Sequence, residues 1–441
     1  MQLHHYAINS IIEAACLYCG PPRKQLHEIH CHAGIEGLYC EGRKDQPAYV
    51  TTLASLCLVS RQFNAIATPH LYHQPTTSNW ELLARTLINR PDLAGRVKHL
   101  CTRGWNPSYV VDTAALPPEV TTYWDDIRQQ RHEDGEYDVT EDEDSWIARD
   151  KVALVLTLCP NIEELDTIIY GHIYVFCLIK PGSLVKLKTI AIAHGGSQYG
   201  FYFDELAPFA EGAPNITRII TWQTGIVDGV GATFENVTYL QLGCSTIGAR
   251  ELRIITEACP NIISLEYEAG GPTVGEEQFS PLELEEILAD VVPCLRMLTL
   301  SMVNSVGPTE IPLEGWLFRS FAGWEDLEYL ALDTRCFLAH WANGICVTPD
   351  GELGEVEEGQ LPAPSRTALV DLLPRSIGEL RITYSSAGDM TRLKPALETL
   401  ALSSRGHFPG LARVVIPGRG VGDVEGLRND FKGWNVEFVL T

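Results

Sequence analysis

Positive charge is what this chain most lacks. Its 441 residues carry 33 Lys and Arg against 57 Asp and Glu, a formal net charge of −24. A protein that grips a nucleic-acid backbone displaces counterions with lysine and arginine, so this balance argues against that class. Long apolar runs are missing too: none reaches the length of a membrane span, and no basic segment precedes the short apolar start. We therefore expect an intracellular protein, cytoplasmic or nuclear, with neither nucleic acid nor membrane as partner. Catalytic motifs are equally scarce. "GRGVGDVEG" at 418–426 is glycine-rich but lacks the Lys-Ser/Thr of a phosphate-binding loop. "AHGGS" around His194 has no G-x-S-x-G nucleophile elbow to serve. Without a nucleophile, a base and an orienting group in one constellation, we expect no enzyme activity and no cofactor.

Paired cysteine motifs are rare as well. The 13 cysteines run from Cys16 to Cys346, an odd number, several of them inside apolar segments. That fits reduced, buried thiols better than a disulfide framework. One C-x-x-C occurs, Cys16 and Cys19, within "CLYCGPPRKQLHEIHCHAGIEGLYC". Its spacing lets two thiolates reach one tetrahedral ion, and Cys31 and Cys40, or His27, His30 and His32, offer further ligands. No second C-x-x-C accompanies it, so free thiols in a histidine-rich loop are the favoured reading and zinc the alternative.

What the chain does have is a globular composition, 45% hydrophobic and 20% charged, and a sequence that repeats itself. "CPNIEEL" at 159–165 returns as "CPNIISL" at 259–265 and more loosely as "APNITRI" at 213–219. The spacing Leu-x-x-Leu-x-Leu recurs in "VTYLQL" from Val237, "LRMLTL" from Leu295, "LEYLAL" from Leu327 and "IGELRI" from Ile377. Fainter copies begin at Ile162, Leu187 and Leu411, and "NVEFVL" reads as a final strand. Helical segments lie between them at roughly 150–158, 249–258, 280–292, 365–373, 389–402 and 422–431, the third opened by a Ser280/Glu283 capping box. Strand, crossover helix and parallel strand in repetition predict an irregular leucine-rich-repeat α/β solenoid with a parallel sheet. Two acidic stretches interrupt it. Residues 119–150 read as a solvated insertion, with a dock for a basic partner as the lesser alternative, and 347–365 as a loop between repeats. The residues between the leucines line the open sheet face, and Tyr239, Gln241, Tyr329 and Arg381 are the candidate target contacts. Packing across neighbouring repeats is the plainer role for the tyrosines.

The stretch "SLCLVSRQFNAIATPHLYH" at 55–73 stands apart from the repeats. Leu53, Leu56, Val59, Phe63, Ile66 and Ala67 share one helical stripe, while Leu58 and Ala65 add an apolar flank on the far side. A helix with two apolar surfaces has use for a second covering partner. Pro69 predicts a helix end near Ala67. The order of residues in "LASLCLVSRQFNAIATPHLYH" resembles the C-terminal half of an F-box in the form common among fungal F-box proteins. Leu53, Leu56, Val59, Ser60, Arg61, Phe63, Ile66, Pro69, Leu71 and Tyr72 all match that form. "YAINSIIEAACL" supplies Ile8, Ile11, Ile12 and Ala15 in place of the first half, but without the usual Leu-Pro, and the link to the second half is long.

The resemblance implies a small helical domain at 1–75, with an inserted Cys/His-rich loop at 20–52, followed by leucine-rich repeats over 76–441. It further implies a substrate-recognition subunit of a cullin–RING ubiquitin ligase. A Skp-type adaptor, and through it a cullin, would be held by Leu53, Leu56, Val59, Phe63, Ile66 and Pro69 with Ile8, Ile11 and Ile12. The repeats would hold an unknown protein target. A leucine-rich scaffold without a ligase role is the alternative, and a zinc-stabilised N-terminal interaction module is a third.

Overall fold

A computed structural model describes residues 5–16, 46–102 except 76 and 78, 152–169, 179–195, 200–270 except 228, 279–291, 294–302, 317–337, 345–347, 353–355, 365–383, 387–416 and 424–440, with isolated positions 105, 118, 120–122, 125, 129 and 176. The protein is mixed α/β, built on parallel strands. It divides into two compact units, Met1–Gly195 with Glu205–Ile216, and Gly196–Asp204 with Thr217–Thr441. The N–H groups of Lys98 and His99 both donate to the His73 carbonyl, at 2.9 and 3.0 Å, and the Trp105 indole donates to the Thr77 carbonyl at 2.9 Å. Those bonds knit the helical start to the first strand.

The first unit opens with helices α1 (His5–Ala15), α2 (Gln46–Val59), α3 (Arg61–Leu71), α4 (Trp80–Asn89) and the short α5 (Pro91–Ala94). Asn79 caps α4, its side-chain oxygen accepting from the Leu82 N–H at 2.8 Å. Strands β1 (His99–Cys101), β2 (Glu164–Ile169) and β3 (Thr189–His194) then pair in parallel and in chain order, and α6 (Ala207–Gly212) belongs to the same unit. A helical stretch at 152–157 precedes β2.

In the second unit β4 (Phe201–Tyr202) and β6 (Thr224–Ile226) form a two-stranded ribbon. The main strands are β5 (Arg218–Trp222), β7 (Tyr239–Ser245), β8 (Ser264–Ala269), β9 (Met297–Ser301) and β10 (Tyr329–Asp333), then β13 (Glu379–Thr383), β14 (Arg413–Ile416) and β15 (Glu437–Leu440). They lie side by side in that order, and every pairing is parallel. Helices α7 (Ala249–Ala258), α8 (Pro281–Val291), α9 (Ala368–Leu372), α10 (Ala387–His407) and α11 (Glu425–Lys432) fall between them. Helix α8 carries the expected capping box: the Ser280 N–H donates to Glu283 Oε2 at 2.7 Å, and the Glu283 N–H to Ser280 Oγ at 3.1 Å. The acidic stretch from 347 contains a strand rather than loop alone: β11 (Ile345–Val347) pairs antiparallel with β12 (Leu353–Glu355). Most of the acidic stretch at 119–150 lies outside the described residues.

The sequence repeat becomes a repeat of bonds and of buried positions. In the first unit the register aligns Leu100, Leu165 and Ile190. In the second it aligns Ile219, Leu240, Leu265, Leu298, Leu330, Leu380 and Val414, all of them buried. Burial of one such side chain contributes about 1.5–3 kcal/mol. Before several strands the same turn closes, as in Ile162 N–H to Cys159 C=O, Ile216 to Ala213, Val237 to Phe234 and Leu411 to Phe408. At the strand entry a single carbonyl then accepts two successive N–H groups from the next repeat: Glu163 from Lys188 and Thr189, Thr217 from Thr238 and Tyr239, Glu328 from Gly378 and Glu379. The asparagines of the "PNI" copies clamp each turn to an earlier segment. Asn161, Asn215 and Asn261 donate from Nδ2 to the carbonyls of Gly95, Val185 and Glu235, each at 2.8 Å.

Candidate functional site

Two regions carry the sequence-derived candidates. The first is the trio α1, α2 and α3, which pack on one another around Ile8, Ile12, Cys16, Leu53 and Ala67. The single helix expected over 53–67 is two helices. Ser60 adopts an extended backbone, φ −163° and ψ 166°, and its Oγ accepts from the Phe63 N–H at 3.2 Å, so α2 stops and α3 starts afresh. Asn64 spans the break, its Nδ2 donating to the Cys57 carbonyl at 3.2 Å. The start of α2 at Gln46 also shortens the link that the sequence extends to residue 52. At the other end α3 continues past Ala67 to Leu71 with Pro69 inside it. Proline forfeits only its own N–H bond, and the Tyr72 N–H still reaches the Thr68 carbonyl at 3.3 Å to close the last turn.

This break divides the adaptor candidates. Ile8, Ile12 and Leu53 are fully buried and hold the three helices together. Leu56, Phe63 and Ile66 are half-buried against that cluster, and Pro69 is half-buried. Ile11 and Val59 are 47% and 62% exposed, and Leu58, which the stripe assigns to a flank, is 87% exposed. Among the described residues of the trio, the most exposed large apolar side chains are Leu58, on the flank, and Val59, on the stripe, both at the α2 terminus. A strict helical wheel misses this because it rotates through Ser60 as though the helix were continuous.

The second region is the face of the second-unit sheet away from the leucine row. Tyr239, Ser264, Met297, Tyr329, Glu379 and Arg413 follow one another along one register row. The adjacent row carries Gln241, Glu266, Thr299, Ala331 and Arg381. Tyr239 and Gln241 come together, the phenol donating to Oε1 at 3.1 Å, and the Arg218 guanidinium lies 4.0 Å from the centre of the Tyr239 ring. Tyr329 and Arg381 also meet. Burial pushes the Tyr329 hydroxyl above its ordinary range, and the Arg381 charge opposes that shift. Arg381 in turn lies 3.6 Å from Glu379, which Arg413 approaches at 3.8 Å. The two tyrosines are three strands apart, with Met297, 41% exposed, on the strand between Ser264 and Tyr329. Sequence reasoning passed over Arg218 and Met297, although both occupy the same repeat position as Tyr239 and Tyr329.

The metal candidates separate likewise. Cys19, Cys31 and Cys40 lie outside the described residues, as do His27, His30 and His32. Cys16 is described, and the neighbours it meets are His70 and His73 of the α3 end. His70 lies in the last turn of α3 and His73 just beyond its end.

Mixed α/β with parallel strands is the class that this fold defines. No protein-family model matches the chain, and no curated protein matches it. No helix among the described residues is long and apolar enough to cross a membrane.

Proposed function

We propose that this chain is a substrate-recognition subunit of an SCF-type cullin–RING ubiquitin ligase, intracellular and without enzyme activity of its own. Its α1–α3 trio acts as an F-box that docks a Skp-type adaptor, and its parallel strands act as leucine-rich repeats that hold a protein target. The observation that carries this reading is the F-box-like residue order of 53–72, folded as two helices that leave Leu58 and Val59 exposed at their junction. Exposed apolar side chains of that size are suited to a protein interface. The sheet face that carries Tyr239, Gln241, Tyr329 and Arg381 supplies the target contacts. The reaction needs no chemistry from this chain: binding two partners at once raises their effective concentration.

One observation favours the rival reading, a leucine-rich scaffold without a ligase role. Ile8, Ile12 and Leu53, which the F-box resemblance assigns to the adaptor, are consumed in packing the chain's own helices. Purified Skp-type adaptor, titrated with the wild-type chain and with Leu58→Asp/Val59→Asp, separates the two. Both positions are exposed in the free chain, so the variant keeps a native circular dichroism spectrum. Burying two unpaired carboxylates in the complex weakens binding by at least about a hundredfold, or about 2.7 kcal/mol. Absence of adaptor binding by the wild type leaves the scaffold.

A further inference from the structure

The end of α1 and the end of α3 converge on three side chains that neither the strands nor the adaptor surface uses. Cys16 and His73 are buried, 1% and 6% exposed, and His70 is half-buried. Cys16 Sγ lies 3.3 Å from His73 Nδ1, and the two imidazole rings sit 4.9 Å apart at a 59° tilt. One ligand atom from each of the three residues lies within 4.8 Å of the other two.

We propose that Cys16, His70 and His73 bind a zinc ion. Tetrahedral zinc with a thiolate at about 2.3 Å and an imidazole nitrogen at about 2.0–2.1 Å sets those two atoms about 3.5 Å apart. The Cys16–His73 separation is already close to that edge, and His70 offers a third ligand atom within 4.8 Å of both. The mixed sulfur and nitrogen donor set suits zinc over magnesium or calcium, which take oxygen ligands. Binding converts the Cys16 thiol to a thiolate and releases its proton to solvent. The ion ties α1 to α3 at the residue whose carbonyl receives Lys98 and His99, and so braces the helical trio against β1. The ligand set differs from the loop cysteines that the C-x-x-C motif suggests, sharing with them only Cys16. The proposal does not depend on the adaptor reading.

The full-length chain, purified without added chelator, is expected to hold about one zinc per molecule by elemental analysis. Cobalt(II) in its place is expected to give the visible bands of a tetrahedral site together with a thiolate charge-transfer band. His70→Gln and His73→Gln discriminate between ligand sets, because a site built on the loop cysteines does not need them. Each is expected to weaken zinc binding by at least about tenfold, and Cys16→Ser to abolish the charge-transfer band. Circular dichroism of each variant in excess chelator, matched to the zinc-free wild type, guards against simple misfolding. A wild-type chain that holds no tightly bound zinc overturns the proposal. So does zinc that survives both histidine substitutions.

Discussion

At the residue scale the thiols and phenols of the repeats report how dry the interior is. Burial pushes the Cys159 and Cys259 thiols from an ordinary 9.0 up to about 12, and it pushes the Tyr267 hydroxyl well above its usual range. Cys294 is exposed. Among the described cysteines, alkylation with iodoacetamide at neutral pH is therefore expected to modify Cys294 before Cys159 and Cys259, which are spared until the chain unfolds, and peptide mass spectrometry reads this directly. The sign of the pH dependence follows from the same shifts. A folded pKa raised above its unfolded value contributes stability that is complete below the unfolded value and is lost as pH rises through the folded one. Denaturant midpoints are therefore expected to fall between pH 9 and 12, in part through these two thiols, and Cys159→Ala/Cys259→Ala flattens that decline. A flat wild-type profile over that range would contradict the assigned burial.

At the scale of single elements, capping and clamping decide where helices end and how repeats join. Ser60→Ala removes the side-chain acceptor that starts α3 and is expected to cost about 1 kcal/mol in urea unfolding. Ser60→Gly costs only a few tenths, since glycine keeps the extended backbone available. The turn asparagines behave as a set. Asn161→Ala and Asn261→Ala each forfeit one bond to a neighbouring turn carbonyl, about 1 kcal/mol, and they sit in different units. Their effects are expected to add in the double variant, and a large deviation would mean the clamps act as one network. Gly243 shows another element-scale constraint. A Cβ there would lie 2.5 Å from the Trp222 ring, so Gly243→Ala forces the indole on the adjacent strand to move and costs about 1–3 kcal/mol.

At the scale of the whole molecule, the aligned leucines form the spine of the second unit. Leu265 lies between Leu240 and Leu298 and is fully buried, so Leu265→Ala opens a cavity that costs about 2–5 kcal/mol. Met297→Ala, on the exposed face of the same sheet, is expected to cost less than about 0.5 kcal/mol, and calorimetry of both variants tests which face is the core. Much of this architecture was readable beforehand. The Leu-x-x-Leu-x-Leu copies from Val237, Leu295, Leu327 and Ile377 all became strands, and 249–258 became α7 with the same bounds. Period-2 alternation and helical periodicity are local properties of neighbouring residues, so the chain declares them without help from its fold. Within the second unit the main strands lie side by side in chain order. Three things lay beyond what periodicity shows. Ser60 interrupts a continuous apolar stripe because an extended backbone there lets α2 and α3 fold against each other, and that interruption exposes Leu58 and Val59 while it buries Leu53. Arg218 stacks on Tyr239 because their strands are neighbours in register, not because they are near in sequence. Cys16 meets His70 and His73 across more than fifty residues of chain. Contacts of that kind depend on how elements pack in space, and no local pattern encodes them.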